Sequence, residues 1–177
     1  MKTSKILIAG FGGQGILFSG KALAFTGLKA GMEVSWLPSY GPEMRGGTAN
    51  CSVTLSEAPI GSPIVDKPDV LIAMNLPSLE KYLFETEKGG CIVYDSSLIS
   101  KEVERADVSI FGIPATKLAS DNGLDGLANM IILGKVLKET NVLTLQQVKD
   151  SLTQMVPAKK AALLENNIKA IELGYNF

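Results

Sequence analysis

The chain has 177 residues, of which 46% are apolar and 20% are charged, so it is long enough to bury a substantial core. Its 17 basic and 18 acidic side chains leave a net charge of -1, which excludes the basic surface that binds nucleic acid or an anionic membrane without specificity. The chain contains no histidine, so any acid-base chemistry has to use other side chains. Composition therefore predicts a single domain over residues 1–177, with neither nucleic acid nor a membrane as its partner.

Cysteine usage limits the metal chemistry that this chain can support. Its two cysteines, Cys51 and Cys91, are far apart in the sequence. An iron-sulfur or zinc site made of four thiolates cannot be formed by this chain alone, and we predict that it binds no metal. We expect Cys51 to pack in the core rather than to act as a nucleophile. The low cysteine content is typical of a reducing compartment, and the predicted location is the cytoplasm.

The N-terminal third of the chain has the pattern of a β-α-β unit. Residues 5–9 predict a short apolar strand, residues 14–30 a helix that ends at Gly31, and residues 32–37 a second strand. A right-handed crossover would make the two strands parallel in one sheet. Residues 49–56 alternate between apolar and hydroxyl side chains with no helix before them, which predicts an antiparallel, half-buried strand.

The rest of the chain continues with strands and then becomes helical. Apolar runs predict further strands at residues 70–74, 91–95 and 108–113. Helical spacing predicts helices at residues 77–85, at residues 125–140, from a capping box at 144–147, and at residues 157–173. We expect Gly174 to end the last helix. The predicted fold class is α/β: a single three-layer Rossmann-like domain with a mixed, mostly parallel sheet and a helical C-terminal part.

A glycine-rich turn connects the first predicted strand to the first predicted helix. The segment Gly10-Phe-Gly-Gly-Gln-Gly15 has the G-x-G-x-x-G spacing, which permits a tight turn and places a helix N-terminus where it attracts an anion. A dinucleotide site also needs an acidic residue near the end of the second strand, where this chain has Ser35-Trp-Leu-Pro38. Bound NAD is therefore disfavoured. An anion site and a purely structural turn are the alternatives, and Gln14 is either a hydrogen-bond donor to a ligand or an ordinary solvated helix residue.

A second unusual segment, residues 38–48, follows the second strand and should leave the sheet at the same edge as the glycine turn. Within it, Glu43 and Arg45 carry opposite charges two positions apart. One interpretation is a local ion pair that shapes the loop. The other is that Arg45 binds a carboxylate or phosphate while Glu43 orients it.

Several polar and aromatic positions have either a structural or a functional interpretation. We expect Asn75 to cap the helix that follows it, while Asn129 is either a core amide with satisfied hydrogen bonds or a functional group. Trp36, together with Tyr40 and Met44, either anchors a partner subunit or packs in the core. Core packing is the favoured interpretation for Trp36.

Four segments of the chain resemble the gamma subunit of 2-oxoacid:ferredoxin oxidoreductases. They are G-F-G-G-Q-G-I at 10–16, P-S-Y-G-P-E-M-R-G-G-T at 38–48, N-L-P-S-L at 75–79 and A-N-M at 128–130. They occur in the order expected for the family, and the similarity extends over nearly the whole chain. The second segment is much more specific than the glycine turn. The chain is most similar to the 2-oxoglutarate or 2-oxoisovalerate branch of this family.

The resemblance implies an enzyme that decarboxylates a 2-oxoacid on thiamine diphosphate, passes electrons through iron-sulfur clusters to ferredoxin, and transfers the acyl group to coenzyme A. It implies that thiamine diphosphate, Mg²⁺ and the clusters are held by alpha, beta and ferredoxin-like delta subunits, and that this chain contributes no catalytic residue. The gamma chain would pack beside them and shape the coenzyme A site. Residues implied to face the coenzyme or a partner are Gly12, Gly13, Gln14, Gly15, Ser39, Tyr40, Gly41, Glu43, Arg45, Gly46, Gly47 and Asn129.

Two functions of other classes are the alternatives to this one. The glycine turn is also compatible with a stand-alone nucleotide-binding reductase. The missing histidine and the helical C-terminal part are also compatible with a noncatalytic scaffold protein.

Overall fold

The structure is a computed structural model that describes residues 2–40 and 48–177. Its strands are β1 (Thr3–Phe11), β2 (Glu33–Tyr40), β3 (Thr48–Ser56), β4 (Val70–Ala73), β5 (Cys91–Asp95) and β6 (Ser109–Ile113). Its helices are α1 (Ile16–Lys29), α2 (Leu76–Tyr82), α3 (Ala115–Asp121), α4 (Ala128–Thr140), α5 (Leu145–Met155) and α6 (Ala161–Asn176). A 3-10 turn, Ala158–Lys160, precedes α6. The predicted α/β class is confirmed.

The strands form one mixed sheet in the order β2-β3-β1-β4-β5-β6. Strands β1, β4, β5 and β6 are parallel to one another, whereas β3 is antiparallel to both β1 and β2. Strands β1 and β2 therefore point in the same direction, as predicted, but β3 lies between them. The chain between Tyr40 and Thr48 is too short for a crossover connection, so β3 has to return beside β2 as an antiparallel neighbour.

Strand β3 is buried on both faces, so the prediction of a half-buried strand was wrong. Its apolar side chains face α1, and the hydroxyl side chains of Ser52, Thr54 and Ser56 are also buried on the other face. Helix α1 covers one face, and on the other face the segment after β3, with Pro59 and Ile60, lies beside Thr54 and Ser56. Ser56 Oγ lies 2.8 Å from Thr3 Oγ1 and accepts a hydrogen bond from the backbone N–H of Ala58. Small hydroxyl groups tolerate burial because such partners satisfy them.

The two faces of the sheet are covered unequally. On one face, α1 and α4 pack on the sheet, and α3, α5 and α6 surround them in one large apolar cluster. The opposite face carries a smaller cluster around Leu7, Leu71 and Ile92, which is covered by α2 and by the segment that follows β5. The predicted three-layer architecture is confirmed, with a thick layer over one face and a thin layer over the other.

Several helix ends follow the local signals in the sequence. Helix α1 ends before Gly31, whose φ of 79° is left-handed. Asn75 caps α2 by accepting a hydrogen bond from the backbone N–H of Ser78 at 2.9 Å. The predicted capping box between Thr144 and Gln147 begins α5. Within residues 2–40 and 48–177, none of the helices has the length and hydropathy needed to cross a membrane.

Two helical features differ from the sequence prediction. Gly174 does not end the last helix, because α6 continues to Asn176. A Cβ atom on Gly174 would collide with the backbone carbonyl of Ile131, so this glycine allows α6 to approach α4 closely. Helix α3 was not predicted, because its seven residues are too few to establish a helical period and no capping side chain marks its start, as Asn75 marks that of the equally short α2.

Candidate functional site

The candidate site lies at the edge of the sheet where the parallel strands end. Phe11 at the end of β1 pairs with Thr48, and Tyr40 at the end of β2 pairs with Ala49. Strands β1 and β2 therefore end at the same edge of the sheet, as predicted. The backbone of Ser39 belongs to β2 at this edge. Five of the residues assigned to the site lie outside the described residues, and their roles stay predictions: Gly41, Glu43, Arg45, Gly46 and Gly47.

The glycine turn has the tight geometry that its sequence predicts. Gly12 begins the turn. Gly13 has a left-handed φ angle of 92° and Gly15 one of 75°, which other residues adopt only with strain. The backbone N–H of Gln14 donates to the carbonyl of Phe11 at 3.2 Å and closes the turn. The turn therefore depends on glycine at these two left-handed positions whether or not a ligand binds there.

The side chain of Gln14 spans the crevice between β1 and β4. Its Oε1 accepts a hydrogen bond from the backbone N–H of Phe11 at 2.6 Å, and its Nε2 donates to the carbonyl of Met74 at 3.1 Å. Gln14 is therefore not an ordinary solvated helix residue. Helices α1 and α2 leave this crevice on opposite faces of the sheet. A crevice between two such connections is where α/β proteins commonly bind ligands. A phosphate in the crevice would have to compete with the Gln14 side chain.

The end of β2 gives a second reason to disfavour a dinucleotide. The residues that end the strand, Ser39 and Tyr40, carry no carboxylate for ribose hydroxyls, and Glu33 lies at the opposite end of the strand. That the turn does not hold NAD stays a prediction, since Glu43 lies outside the described residues.

Asn129 on α4 connects that helix to the glycine turn. Its Nδ2 donates to the carbonyl of Gly15 at 3.1 Å and to Ser19 Oγ at 3.0 Å, and the side chain is only 6% exposed. A Cβ atom on Gly15 would collide with the Asn129 amide, so the glycine and the asparagine require each other. The buried Oδ1 has no hydrogen-bond partner in the described part of the chain. Asn129 is thus a core amide with one acceptor still unused.

The N-terminus of α1 remains open to an anionic group. Gly15 occupies its N-cap position, no side chain among the described residues caps it, and its first turn contains no acidic residue. The backbone N–H groups of the first turn have no partners within the helix, and the helix dipole is positive at this end. The turn therefore offers backbone donors to a ligand, while Gln14 and Asn129 hold it in place.

A cleft of about 310 Å³ lies beside the turn, between it and α3. Its lining residues are Gly13, Gln14, Met74, Thr116, Ala119, Ser120, Asp125, Gly126 and Ala128. Most of this lining is apolar or backbone, with one carboxylate. Thr116 is held by the fully buried Asp95, which accepts hydrogen bonds from its hydroxyl group and its backbone N–H.

Sequence reasoning missed Thr116 and Ser120, because α3 is too short to give a periodic signal. It also missed Asp125 as a site residue, because it placed this residue in the helix predicted over residues 125–140, whereas α4 begins at Ala128. The order of the strands could have indicated that these residues lie near the site. A segment that follows a parallel strand such as β6 leaves the sheet at the same edge as the glycine turn.

The cysteine thiols do not contribute reactive groups to this edge. Burial raises the pKa of Cys51 to about 12 and that of Cys91 to about 11, so both stay protonated at neutral pH. Cys51 packs in the core as predicted. Trp36 lies beside Cys51 but does not pack in the core. The expectation of core packing was wrong, because Trp36 is 38% exposed on the outermost strand of the sheet.

Comparisons with known proteins agree with the fold and with the motifs. The pyruvate ferredoxin/flavodoxin oxidoreductase family model matches residues 5–177. The ketoisovalerate oxidoreductase subunit VorA of Methanothermobacter thermautotrophicus is 38% identical over 173 residues, which are 96% of this chain and 35% of the relative.

Two solved structures share the whole fold. The gamma subunit of a keto/oxoacid ferredoxin oxidoreductase from Geobacter sulfurreducens is 25% identical, with a TM-score of 0.86 over 99% of this chain and 96% of that chain. A 2-oxoglutarate:ferredoxin oxidoreductase from Magnetococcus marinus, solved with 2-oxoglutarate, coenzyme A and succinyl-CoA bound, is 27% identical, with a TM-score of 0.89 over 99% of this chain and 31% of that chain.

The chain spans about a third of the length of two of these proteins, 35% of VorA and 31% of the Magnetococcus chain. It covers nearly the full length of the Geobacter gamma subunit. The resemblance predicted from the four sequence segments is confirmed. The chain therefore belongs to the pyruvate ferredoxin/flavodoxin oxidoreductase family.

Proposed function

We propose that this chain is the gamma component of a 2-oxoacid:ferredoxin oxidoreductase. Such an enzyme converts a 2-oxoacid and coenzyme A to acyl-CoA and CO₂ and passes the electrons to ferredoxin. The observation that carries the proposal is the match to a gamma subunit over 96% of that subunit's length, with a TM-score of 0.86. The 2-oxoacid would be 2-oxoglutarate or 2-oxoisovalerate, since relatives named for these substrates match this chain over 96–99% of its length.

The decarboxylation and electron transfer would take place on partner subunits. Thiamine diphosphate, Mg²⁺ and the iron-sulfur clusters would be held by alpha, beta and ferredoxin-like delta subunits, and the clusters would reduce ferredoxin. The two buried, unpaired cysteines of this chain support this division, because they cannot ligate a cluster. We further propose that residues 1–177 form one domain and that the complex works in the cytoplasm.

The direct contribution of this chain would be to bind part of coenzyme A. The backbone of Gly12, Gly13 and Gly15 and the open N-terminus of α1 suit the diphosphate of the coenzyme, because they offer donors without a competing carboxylate in the first turn. The adjacent cleft suits an uncharged part of the ligand, because its lining is mostly apolar and its one carboxylate, Asp125, would repel phosphate. Asn129 would hold the turn in place and offer its unused Oδ1 to the ligand or to a partner.

Purification of a tagged copy of the full chain from the organism that encodes it tests this function. We expect a thiamine-diphosphate-binding subunit and an iron-sulfur subunit to co-purify in fixed proportion. The complex should reduce ferredoxin or a viologen dye with 2-oxoglutarate or 2-oxoisovalerate, and only when coenzyme A is present. A chain that purifies alone, or a complex that keeps full activity after this chain is removed, would contradict the proposal.

A further inference from the structure

The side chain of Gln14 occupies part of the glycine turn that the proposed function assigns to a diphosphate. Its Oε1 accepts a hydrogen bond from the backbone N–H of Phe11 at 2.6 Å. Backbone N–H groups of a glycine-rich turn are the donors that phosphate oxygens commonly use. The amide oxygen of Gln14 therefore takes up one donor that an oxygen of the ligand could use.

The surrounding chain is shaped to hold this amide in place. Its Nε2 donates to the carbonyl of Met74 at 3.1 Å, so both polar atoms of the amide have partners. A Cβ atom on Gly10 would lie only 2.6 Å from Oε1, so the amide needs a glycine at this position. The backbone N–H of Gln14 donates back to the carbonyl of Phe11 and keeps the two residues together. This arrangement closes the turn in the absence of a ligand.

The amide is nevertheless able to move. Gln14 is only half-buried, and it lines the cleft of about 310 Å³ between the turn and α3. The cleft gives the side chain room to change its rotamer, a motion that is fast where a side chain meets solvent. Once the amide has left, the backbone N–H of Phe11 becomes available to a ligand, beside the uncapped N-terminus of α1.

We propose that the Gln14 amide is a latch on the glycine turn, which has to leave before a phosphate oxygen can bind there, an inference that rests on the proposed function. A phosphate oxygen replaces Oε1 as the acceptor for Phe11, but an ionised diphosphate has no donor to replace Nε2 at the Met74 carbonyl. Opening the latch therefore loses about one hydrogen bond, which lowers the affinity for an anion roughly fivefold. A ligand that also fills the cleft offsets this loss through further contacts, whereas a small free anion cannot.

The test is the affinity of the full chain for inorganic pyrophosphate, measured by isothermal titration calorimetry. Gln14→Ala should bind pyrophosphate about fivefold more tightly than the original chain, because no amide then competes with the anion. Gln14→Met keeps the length of the side chain but neither hydrogen bond, and it should also bind more tightly. The control Gln146→Ala removes an exposed glutamine of α5 that donates to Asp150 at 2.7 Å, and its affinity should stay within about twofold.

Nuclear magnetic resonance observes the latch directly in the unmodified sequence. In a ¹⁵N-labelled chain, the side-chain amide signal of Gln14 is the one that Gln14→Ala lacks. Saturating pyrophosphate should move this signal toward that of Gln154, which is exposed on α5, because the Gln14 amide leaves both of its partners. The signal of Gln154 itself should not move.

Two results would overturn the inference. A pyrophosphate affinity that falls or stays the same in both Gln14→Ala and Gln14→Met, with unchanged circular dichroism spectra, would show that Gln14 binds the anion or only supports the turn. The absence of pyrophosphate binding to all of these proteins at millimolar concentration would show that the turn takes no anion. Failure of the proposed function has a different signature. The complex would then be active without coenzyme A, while a higher affinity of Gln14→Ala for pyrophosphate would still support the latch.

Discussion

Asn129 is the residue where a substitution of one functional group should have the largest effect for the smallest change in shape. Its Nδ2 donates two hydrogen bonds, to the Gly15 carbonyl at 3.1 Å and to Ser19 Oγ at 3.0 Å, while its Oδ1 is buried without a partner in the described region. The change Asn129→Asp keeps the size of the side chain but replaces these donors with acceptors. The new carboxylate would face the Gly15 carbonyl, which is itself an acceptor.

The expected magnitude follows from the two matched variants. Asn129→Ala loses two hydrogen bonds of about 1 kcal/mol each but also removes the unpaired oxygen, so it should destabilise the chain by only about 1 kcal/mol. Asn129→Asp loses the bond to the Gly15 carbonyl, leaves Ser19 Oγ able to donate to the new carboxylate, and buries that carboxylate without a cation, which costs about 3 kcal/mol more. For a chain of this size, that difference lowers the melting temperature by a further 6–12 °C, roughly.

The assay is urea unfolding of the full chain and the two variants, followed by circular dichroism at neutral pH and near pH 4. Burial raises the pKa of the introduced carboxyl group above its value in the unfolded chain, which is about 4. A group with a raised pKa in the folded state contributes stability below its unfolded pKa and loses it as the pH rises. The extra destabilisation in Asn129→Asp should therefore be nearly absent near pH 4 and complete at neutral pH. Equal stability of the two variants at neutral pH would refute the assigned hydrogen bonds.

Three other predictions concern the packing, the thiols and the coenzyme. Gly174→Ala should destabilise the chain by about 3 kcal/mol, because its Cβ would push α6 away from α4, whereas Gly61→Ala, which meets no atom within 4 Å, should be neutral in urea unfolding. Similar effects of both changes would contradict the close helix packing. Cys51 and Cys91 should react with a thiol reagent no faster than the chain unfolds, because burial raises their pKa to about 12 and about 11. The free energy of unfolding should also fall above pH 9, because only the thiols of the unfolded chain ionise there. Fast labelling of the native chain would contradict the burial of both thiols. Arg45→Ala should raise the KM of the complex for coenzyme A by about tenfold without changing the KM for the 2-oxoacid, and Arg45→Lys should recover part of the loss. Unchanged kinetics and subunit stoichiometry would reject that role.

The residues that could be read directly from the sequence are those whose structure depends on near neighbours in the chain. The apolar strand at residues 91–95, the left-handed Gly31 and the Asn75 cap each depend on a few adjacent residues. The position of the glycine turn at the sheet edge also follows from local order, since a helix has to begin where β1 ends. These features, together with the motifs, were enough to predict the fold class and the family.

The features that sequence reasoning missed depend on contacts between distant segments. The alternation in β3 suggested one solvent-exposed face, but both faces are buried, because α1 covers one and the segment after β3 lies beside Thr54 and Ser56 on the other. The apolar character of Trp36 suggested the core, yet its strand lies at the edge of the sheet. Gly174 had the identity of a helix terminator, but the contact with α4 gives it a different role.

The candidate site divides in the same way. The sequence by itself determined the turn, because glycines with left-handed φ angles act through their own backbone. Only the tertiary structure placed the Gln14 side chain between β1 and β4, brought Asn129 from 114 positions away to the Gly15 carbonyl, and formed the cleft with α3. The physical reason is that propensity and capping act over a few residues, whereas burial and hydrogen-bond satisfaction are decided by whichever segments the folded chain brings together.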